Sequence, residues 1–194
     1  YTLGKNTVAP FRLNPFEFFP HESITSRVDL IKASLEASFD MEAAIPQILE
    51  SAIYECYKDY GWNIATNTNN LYLEPFADGV YAFPTFGNLV EKVETVVKLQ
   101  GFDDRLKNDY IGSIKARLQG LMVGSKGLML NTKRSIDFEQ ILDQKVILEL
   151  EEIKSGSEKS LIMGFILMNL VEALKGRYIK GEKLKHITLI EEAH

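Results

Sequence analysis

The prediction of the fold starts from HITLIEEAH, residues 186–194, in which the apolar residues 187–190 run directly into two glutamates. The β-type character of ITLI predicts a strand. Upstream, VIL at residues 146–148 predicts a second strand, and the apolar segment from 157 to 174 predicts a long helix between the two. Strands joined through a single helix form a right-handed crossover and lie parallel. The end of the chain is therefore expected to form a βαβ unit.

Helical patterns dominate the residues that precede this unit. Apolar residues recur with helical spacing over four segments, and a short helical turn follows them: residues 26–39, 45–60, 86–97, 106–121 and 138–142. Pro46 lies in the first turn of the second segment and Gly61 just past its end, which is the usual placement of these residues. Thr85 is the predicted cap of the third segment. A small hairpin is expected from residues 71–73 and 80–82.

The order of these elements predicts an α/β fold with parallel strands and a large, mostly helical insertion. A short strand at residues 11–13 is expected to end at the turn signal Asn14-Pro15. The chain then divides into a first strand and turn, a helical insertion subdomain and the βαβ unit, at residues 1–23, 24–142 and 143–194.

Composition excludes several classes of protein. The 194 residues carry a net charge of −5, so the chain as a whole is not a nucleic-acid-binding polyelectrolyte. Its one cysteine, Cys56, excludes an intrachain disulfide and lies on an apolar helix stripe, which favours core packing. The longest apolar run, residues 161–171, is too short to cross a bilayer, and the first residues have no signal core. A cytoplasmic protein is indicated. The abrupt first and last residues suggest a piece of a longer protein.

The two terminal acids have the arrangement that nucleotide hydrolysis needs. In P-loop hydrolases a buried strand ends in an acid that holds Mg²⁺ through water, and a second acid can polarise the attacking water. Glu191 and Glu192 follow the predicted strand in this way. The alternative is a strand that ends in solvated acids with no catalytic role. The E-x-x-H spacing from Glu191 to His194 also fits half of a di-iron site, but no second E-x-x-H exists in the chain.

Several segments resemble, in order, the HerA-like ATPases, which are relatives of the DNA pump FtsK and of the conjugation and type IV secretion ATPases. They are YTLG (1–4), FRLNPFEF (11–18), ILESAIYECYKDYGW (48–62), FPTFGNL (83–89), VILELEEIKSGSEKSLIMGFILMNLVEAL (146–174) and ITLIEEAH (187–194). The resemblance covers nearly the whole chain. It implies a partial RecA-like P-loop core in which ITLIEEAH is the Walker B segment.

The resemblance also implies a site and partners. Glu191 would hold Mg²⁺, and Glu192 would act as the catalytic base. Asn14, in the turn after the first strand, would lie at the carboxyl edge of the sheet near the nucleotide, although Asn-Pro also forms turns without any ligand. The parent protein would bind ATP and Mg²⁺, assemble as a ring homo-oligomer, with a hexamer expected, and couple hydrolysis to DNA translocation or conjugative transfer.

The chain departs from the family in one large respect, because a Walker A segment, G-x-x-x-x-G-K-[ST], appears nowhere in it. The isolated chain is therefore expected to bind no ATP and to be inactive. The alternative function is a non-catalytic helical protein-interaction domain whose last strand only resembles Walker B. The basic segment between residues 175 and 185 is predicted to be a solvated connector, with contact to DNA or a neighbouring subunit as the alternative.

Overall fold

Helices account for most of the structure, a computed structural model that describes residues 11–41, 44–182 and 186–191 and is 56% helical. Seven helices and a two-stranded hairpin lie within these ranges. In chain order they are α1 (Ile24–Ser38), α2 (Ile45–Asp59), β1 (Trp62–Asn63), β2 (Thr68–Asn69), α3 (Phe86–Leu99), α4 (Asp104–Leu121), α5 (Gly124–Leu130), α6 (Phe138–Leu142) and α7 (Gly156–Ile179).

Capping side chains fix where most helices begin, because each one satisfies a backbone N–H that has no partner inside the helix. Thr85 and Asn88 form a reciprocal capping box at the start of α3. The caps of α1, α4, α6 and α7 are Ser23, Asp103, Asp137 and Ser155. Pro46 lies in the first turn of α2, and Gly61 follows that helix with a φ of +84°. The predicted helices are therefore confirmed, with α7 extending further than its apolar run.

One hydrophobic core joins the helices. The helices in contact include α1 with α2 and α7, α3 with α2 and α4, α4 with α5, and α6 with α7. Along α7 the buried side chains include Leu161, Phe165 and Ala173, and Gly164 faces Ser34 of α1. The longest helix therefore buries its apolar face against other helices.

The predicted α/β fold, a partial RecA-like P-loop core with parallel strands, is wrong for the residues that the structure describes. The sheet in these ranges has two strands, β1 and β2, and they are antiparallel. Residues 146–148 and 187–190 have no regular secondary structure, and Ile147, Ile187 and Leu189 are largely exposed. Apolar β-type character predicts a strand only where a neighbouring strand can accept its hydrogen bonds, and α7 packs on the helices α1 and α6.

The first predicted strand also differs. Residues 11–13 have no regular secondary structure, and backbone bonds run from the Leu13 N–H to the Met129 carbonyl and from the Ile136 N–H to the Arg12 carbonyl. Isolated bonds of this kind do not make a ladder. The division into residues 1–23, 24–142 and 143–194 stays a prediction.

The hairpin forms earlier in the chain than predicted. Trp62 pairs with Asn69, and Asn63 pairs with Thr68, whereas residues 71–73 and 80–82 form no strands. The Asn63 side chain accepts hydrogen bonds from the N–H groups of Ala65 and Thr66, so the polar segment builds its own turn. The position of this hairpin is therefore set by the side-chain hydrogen bonds of its turn and not by an alternation of apolar residues.

Among the helices of the described ranges, none combines the length and the apolar character needed to span a membrane.

Replacing glycine with alanine is expected to have opposite effects on stability at two positions. A Cβ at Gly127 in α5 would collide with the backbone of Met122, whereas a Cβ at Gly112 in α4 meets nothing within 4 Å. We expect Gly127→Ala to lower the free energy of unfolding by about 1–3 kcal/mol or more, since the backbone must shift. Gly112→Ala should raise it by about 0.5–1 kcal/mol, since alanine loses less entropy in a helix. Urea unfolding followed by circular dichroism measures both, and equal effects would contradict the packing of α5.

Candidate functional site

The terminal segment, residues 186–191, lies beside the end of α6. The His186 ring places Nδ1 3.3 Å from the Leu142 carbonyl oxygen and Nε2 3.0 Å from Thr188 Oγ1. Beyond this anchor the chain is open to solvent, with Ile187 93% and Leu189 81% exposed. Glu191 is exposed as well. The predicted metal ligand is thus at the surface.

Glu192, the predicted catalytic base, lies outside the described residues, so the structure does not bring the two acids together in one geometry. The roles of Glu191 in metal binding and of Glu192 in catalysis stay predictions. In the part of the chain that the structure describes, no group of three or more His, Cys, Asp or Glu side chains could hold a metal ion.

Ion pairs join the end of α7 to α6 next to this segment. Arg177 donates to both carboxylate oxygens of Asp143, each at 2.6 Å, and to the Glu139 carbonyl at 2.6 Å. These hydrogen bonds lower the pKa of Asp143 and raise the pKa of Arg177. Lys180 pairs with Glu139 at 3.2 Å.

The basic segment is therefore largely neutralised where it is described. Lys175 also pairs with an acid, Glu172, at 2.5 Å, and Lys183 and Lys185 lie outside the described residues. Each described basic side chain of this segment faces a carboxylate of the same chain. This pairing gives a connector role a physical basis, and contact with DNA stays a prediction.

Asn14 is completely buried and joins two distant loops. Its Nδ2 donates to the Pro84 carbonyl at 2.9 Å and to the Lys133 carbonyl at 3.4 Å, and its Oδ1 accepts from the Phe16 N–H at 3.0 Å. The Asn14 N–H donates to Ser135 Oγ at 2.9 Å. These contacts support the turn-forming alternative, and a contact between Asn14 and nucleotide stays a prediction.

The acid that follows Asn14 extends the same junction. Glu17 accepts from the Ser135 N–H at 2.6 Å and pairs with Arg134 Nε at 2.7 Å. Arg134 in turn donates to the carbonyls of Ala77 and Val80. A chain of charge-assisted bonds thus runs from the Asn14 turn to the loop at residues 76–80.

A buried ion pair was not predicted from the sequence. Arg27 of α1 is completely buried, and its Nη2 lies 2.6 Å from Glu22 Oε2. Arg27 Nη1 donates to Asn169 Oδ1 of α7 at 3.4 Å, and Asn169 Nδ2 donates to the Phe165 carbonyl at 2.8 Å. The signal was present, since Asn169 and Glu172 interrupt the apolar run of α7. A buried pair of this kind must be kept together, because removing one partner leaves the other charge unpaired.

His21 contributes a second contact between this turn and α7. Its Nε2 lies 3.4 Å from Glu172 Oε2. Gly176 makes the approach possible, because a Cβ there would lie 2.9 Å from His21 Cε1. The turn at residues 20–22 is thus fixed to the C-terminal half of α7.

Cys56 is not available as a nucleophile. Its side chain extends from α2 into the hydrophobic core, and desolvation raises its pKa to about 12. At neutral pH the reactive thiolate is therefore absent. The prediction that Cys56 is a core residue is confirmed.

A surface cleft of about 500 Å³ lies at the end of α1, lined by residues 36–41 and Pro46. Its lining includes the two acids Glu36 and Asp40 and the hydroxyl of Ser38.

The chain matches no known protein family, no curated protein and no solved structure. The resemblance to HerA-like ATPases is therefore carried by its sequence segments alone.

Replacing Asn14 tests its structural role without any nucleotide. We expect Asn14→Ala to lower the free energy of unfolding by about 1–3 kcal/mol, because it leaves buried carbonyl groups without their donor. The control is Asn70→Ala, since Asn70 is exposed, and its effect should stay within about 0.5 kcal/mol. Urea denaturation in nucleotide-free buffer measures both. Equal stability of the two variants would contradict the role of Asn14 as a junction.

The thiol of Cys56 should react with Ellman's reagent only after unfolding. At pH 8 a free thiol with an ordinary pKa near 8.5 is partly ionised, whereas a pKa of about 12 keeps the thiol protonated. Buried sulfur is also sterically protected. We expect no measurable reaction in native buffer and stoichiometric reaction in concentrated urea. Reaction of the native protein at the rate of a free thiol would contradict the burial.

Proposed function

We propose that this chain is a segment of a HerA/FtsK-like ATPase, whose parent protein couples ATP hydrolysis to DNA translocation or conjugative transfer. The observation that carries the proposal is the order of the family-like segments along the chain, which ends in an apolar stretch followed directly by Glu191 and Glu192. The exposed position of Glu191 supports it. An acid that binds the metal of Mg-ATP must be reachable from solvent.

The two acids have separate proposed roles. Glu191 holds Mg²⁺, which neutralises charge on the phosphate oxygens, and Glu192 orients and deprotonates the attacking water. The phosphates also need a G-x-x-x-x-G-K-[ST] loop, which these 194 residues do not contain. In this proposal the loop comes from another segment of the parent, which assembles as a ring homo-oligomer, with a hexamer expected.

The proposal does not depend on parallel strands among the described residues. Its support at this end of the chain is local: His186 attaches the terminal segment to the end of α6, and the ion pair of Arg177 with Asp143 attaches α6 to α7. The start of the segment that leads to Glu191 is therefore held by contacts within this chain.

A second candidate is a non-catalytic helical protein-interaction domain. The helical content of 56% favours it. The sequence that precedes Tyr1 in the natural protein distinguishes the two candidates. A Walker A motif between a strand and a helix there favours the ATPase, and its absence favours the interaction domain.

Charge-removing substitutions in the natural protein test the ATPase. We expect Glu192→Gln to lower the rate of ATP hydrolysis at least about 100-fold, since general-base catalysis contributes typically 10²–10⁴-fold, while ATP binding persists. Glu191→Gln should weaken the dependence on Mg²⁺ together with the rate. Phosphate release at varied Mg²⁺ concentration, together with a binding assay for labelled ATP, measures both effects.

Glu151→Gln is the matched control, because Glu151 is an exposed acid outside the proposed site, and it should hydrolyse ATP at the wild-type rate. The isolated chain of 194 residues should show no saturable heat on titration with Mg-ATP. Wild-type hydrolysis by the Glu192→Gln variant would show that the second acid is only a solvated residue and would refute the proposed mechanism.

A further inference from the structure

The segment at residues 69–83, here called the 69–83 loop, has a fixed inner side built from aromatic rings. The ring centroids of Phe76 and Phe83 lie 5.7 and 5.5 Å from that of Trp62, and Phe18 packs against all three rings. Trp62 Nε1 donates to the Ala82 carbonyl at 2.7 Å. Aromatic packing with a buried hydrogen bond holds the loop to the body of the protein.

Polar contacts fix the backbone of the loop at both ends. Asn69 Oδ1 accepts from the N–H groups of Leu71 and Tyr72, at 2.8 and 2.9 Å. Near the other end Arg134 donates to the carbonyls of Ala77 and Val80, at 3.0 and 2.9 Å. The loop is therefore ordered without any partner.

Four large apolar or aromatic side chains of this loop are exposed to solvent. Leu73 is 99% exposed, Leu71 is 65% exposed, and Tyr81 and Tyr72 are 47% and 38% exposed. Exposed apolar side chains on a fixed backbone favour association, because binding then buries apolar area and orders little additional chain. Tyrosine suits such a surface because its ring is apolar and its hydroxyl is polar.

The charges of the loop specify the character of a partner. No lysine or arginine occurs between Lys58 and Lys92, and the loop carries two exposed acids, Glu74 and Asp78. The ring of Tyr81 already faces one cation, with Lys133 Nζ 5.0 Å from its centroid. An apolar surface with acids attracts apolar side chains accompanied by positive charge.

We propose that the 69–83 loop is a docking surface for a segment of a partner protein in which leucine-like apolar residues are flanked by lysine or arginine. The apolar residues of the partner cover Leu71 and Leu73, and its basic residues lie near Glu74 and Asp78. This interaction does not depend on nucleotide or on the terminal acids, so it stands or falls separately from ATP hydrolysis.

A synthetic twelve-residue peptide of alternating leucine and lysine, labelled for fluorescence anisotropy, tests the surface at physiological salt. The wild-type chain should bind it saturably. Leu73→Ser should weaken binding at least about fivefold, because the partner loses apolar contact area. Glu74→Lys should also weaken it, because like charges then meet. Leu99→Ser is the control, since Leu99 is 83% exposed on α3 and lies outside the loop.

Two control peptides separate the parts of the proposal. A serine–lysine peptide and a leucine–glutamate peptide should each bind at least about fivefold more weakly than the leucine–lysine peptide. Equal binding of all three peptides, equal binding by the Leu73→Ser and Leu99→Ser variants, or no saturable binding at all would overturn the proposal. A doubled mass in light scattering that Leu73→Ser restores to a monomer would show a second copy of the chain as the occupant, and would overturn the choice of partner.

Discussion

The buried guanidinium of Arg27 is the constraint on which the arrangement of the helices depends. A charge with no solvent exposure must be neutralised within hydrogen-bonding distance, and Glu22 and Asn169 supply the partners from the preceding turn and from α7. This requirement sets the position of α1 against α7 more narrowly than apolar contact alone, since apolar side chains tolerate sliding. Because α7 also packs on α6, this contact is part of the same helical core.

The turn at Asn14 also fixes distant parts of the chain, because it provides hydrogen-bond donors for polar backbone groups. One amide side chain bonds to the loops at Pro84 and Lys133, and the adjacent Glu17 reaches Arg134, which holds residues 77 and 80. Long connections between helices would otherwise carry buried carbonyl groups without donors. The first described residues therefore organise loops far away in sequence, and the 69–83 loop gains its fixed backbone partly from this junction.

The helices could be predicted from the sequence because their determinants are local. The caps at Ser23 and Thr85 and the apolar spacing of α2 and α3 act within a few residues. Strands depend on partners elsewhere, so the apolar character of residues 146–148 and 187–190 could not show whether a sheet receives them. Helix α5 was not predicted. Glycine has a low helix propensity, although Gly127 is what permits the close approach of α5 to Met122.

The candidate site was predictable only in part, for a related reason. Residue type and order single out Glu191, but the neighbours of an exposed acid at the end of an extended segment are not encoded in its own sequence. Predicting that the ion pair of Glu22 with Arg27 is buried requires knowing that α1 meets α7, although Asn169 within an apolar helix is a visible sign of a buried partner.

The exposed apolar residues of the 69–83 loop show that burial alone does not determine which segments are ordered. At Leu73 the backbone is fixed while the side chain is open to solvent, so the order of the loop cannot come from burying that residue. The aromatic rings packed against Trp62 and the contacts of Arg134 hold the loop in place independently of Leu73.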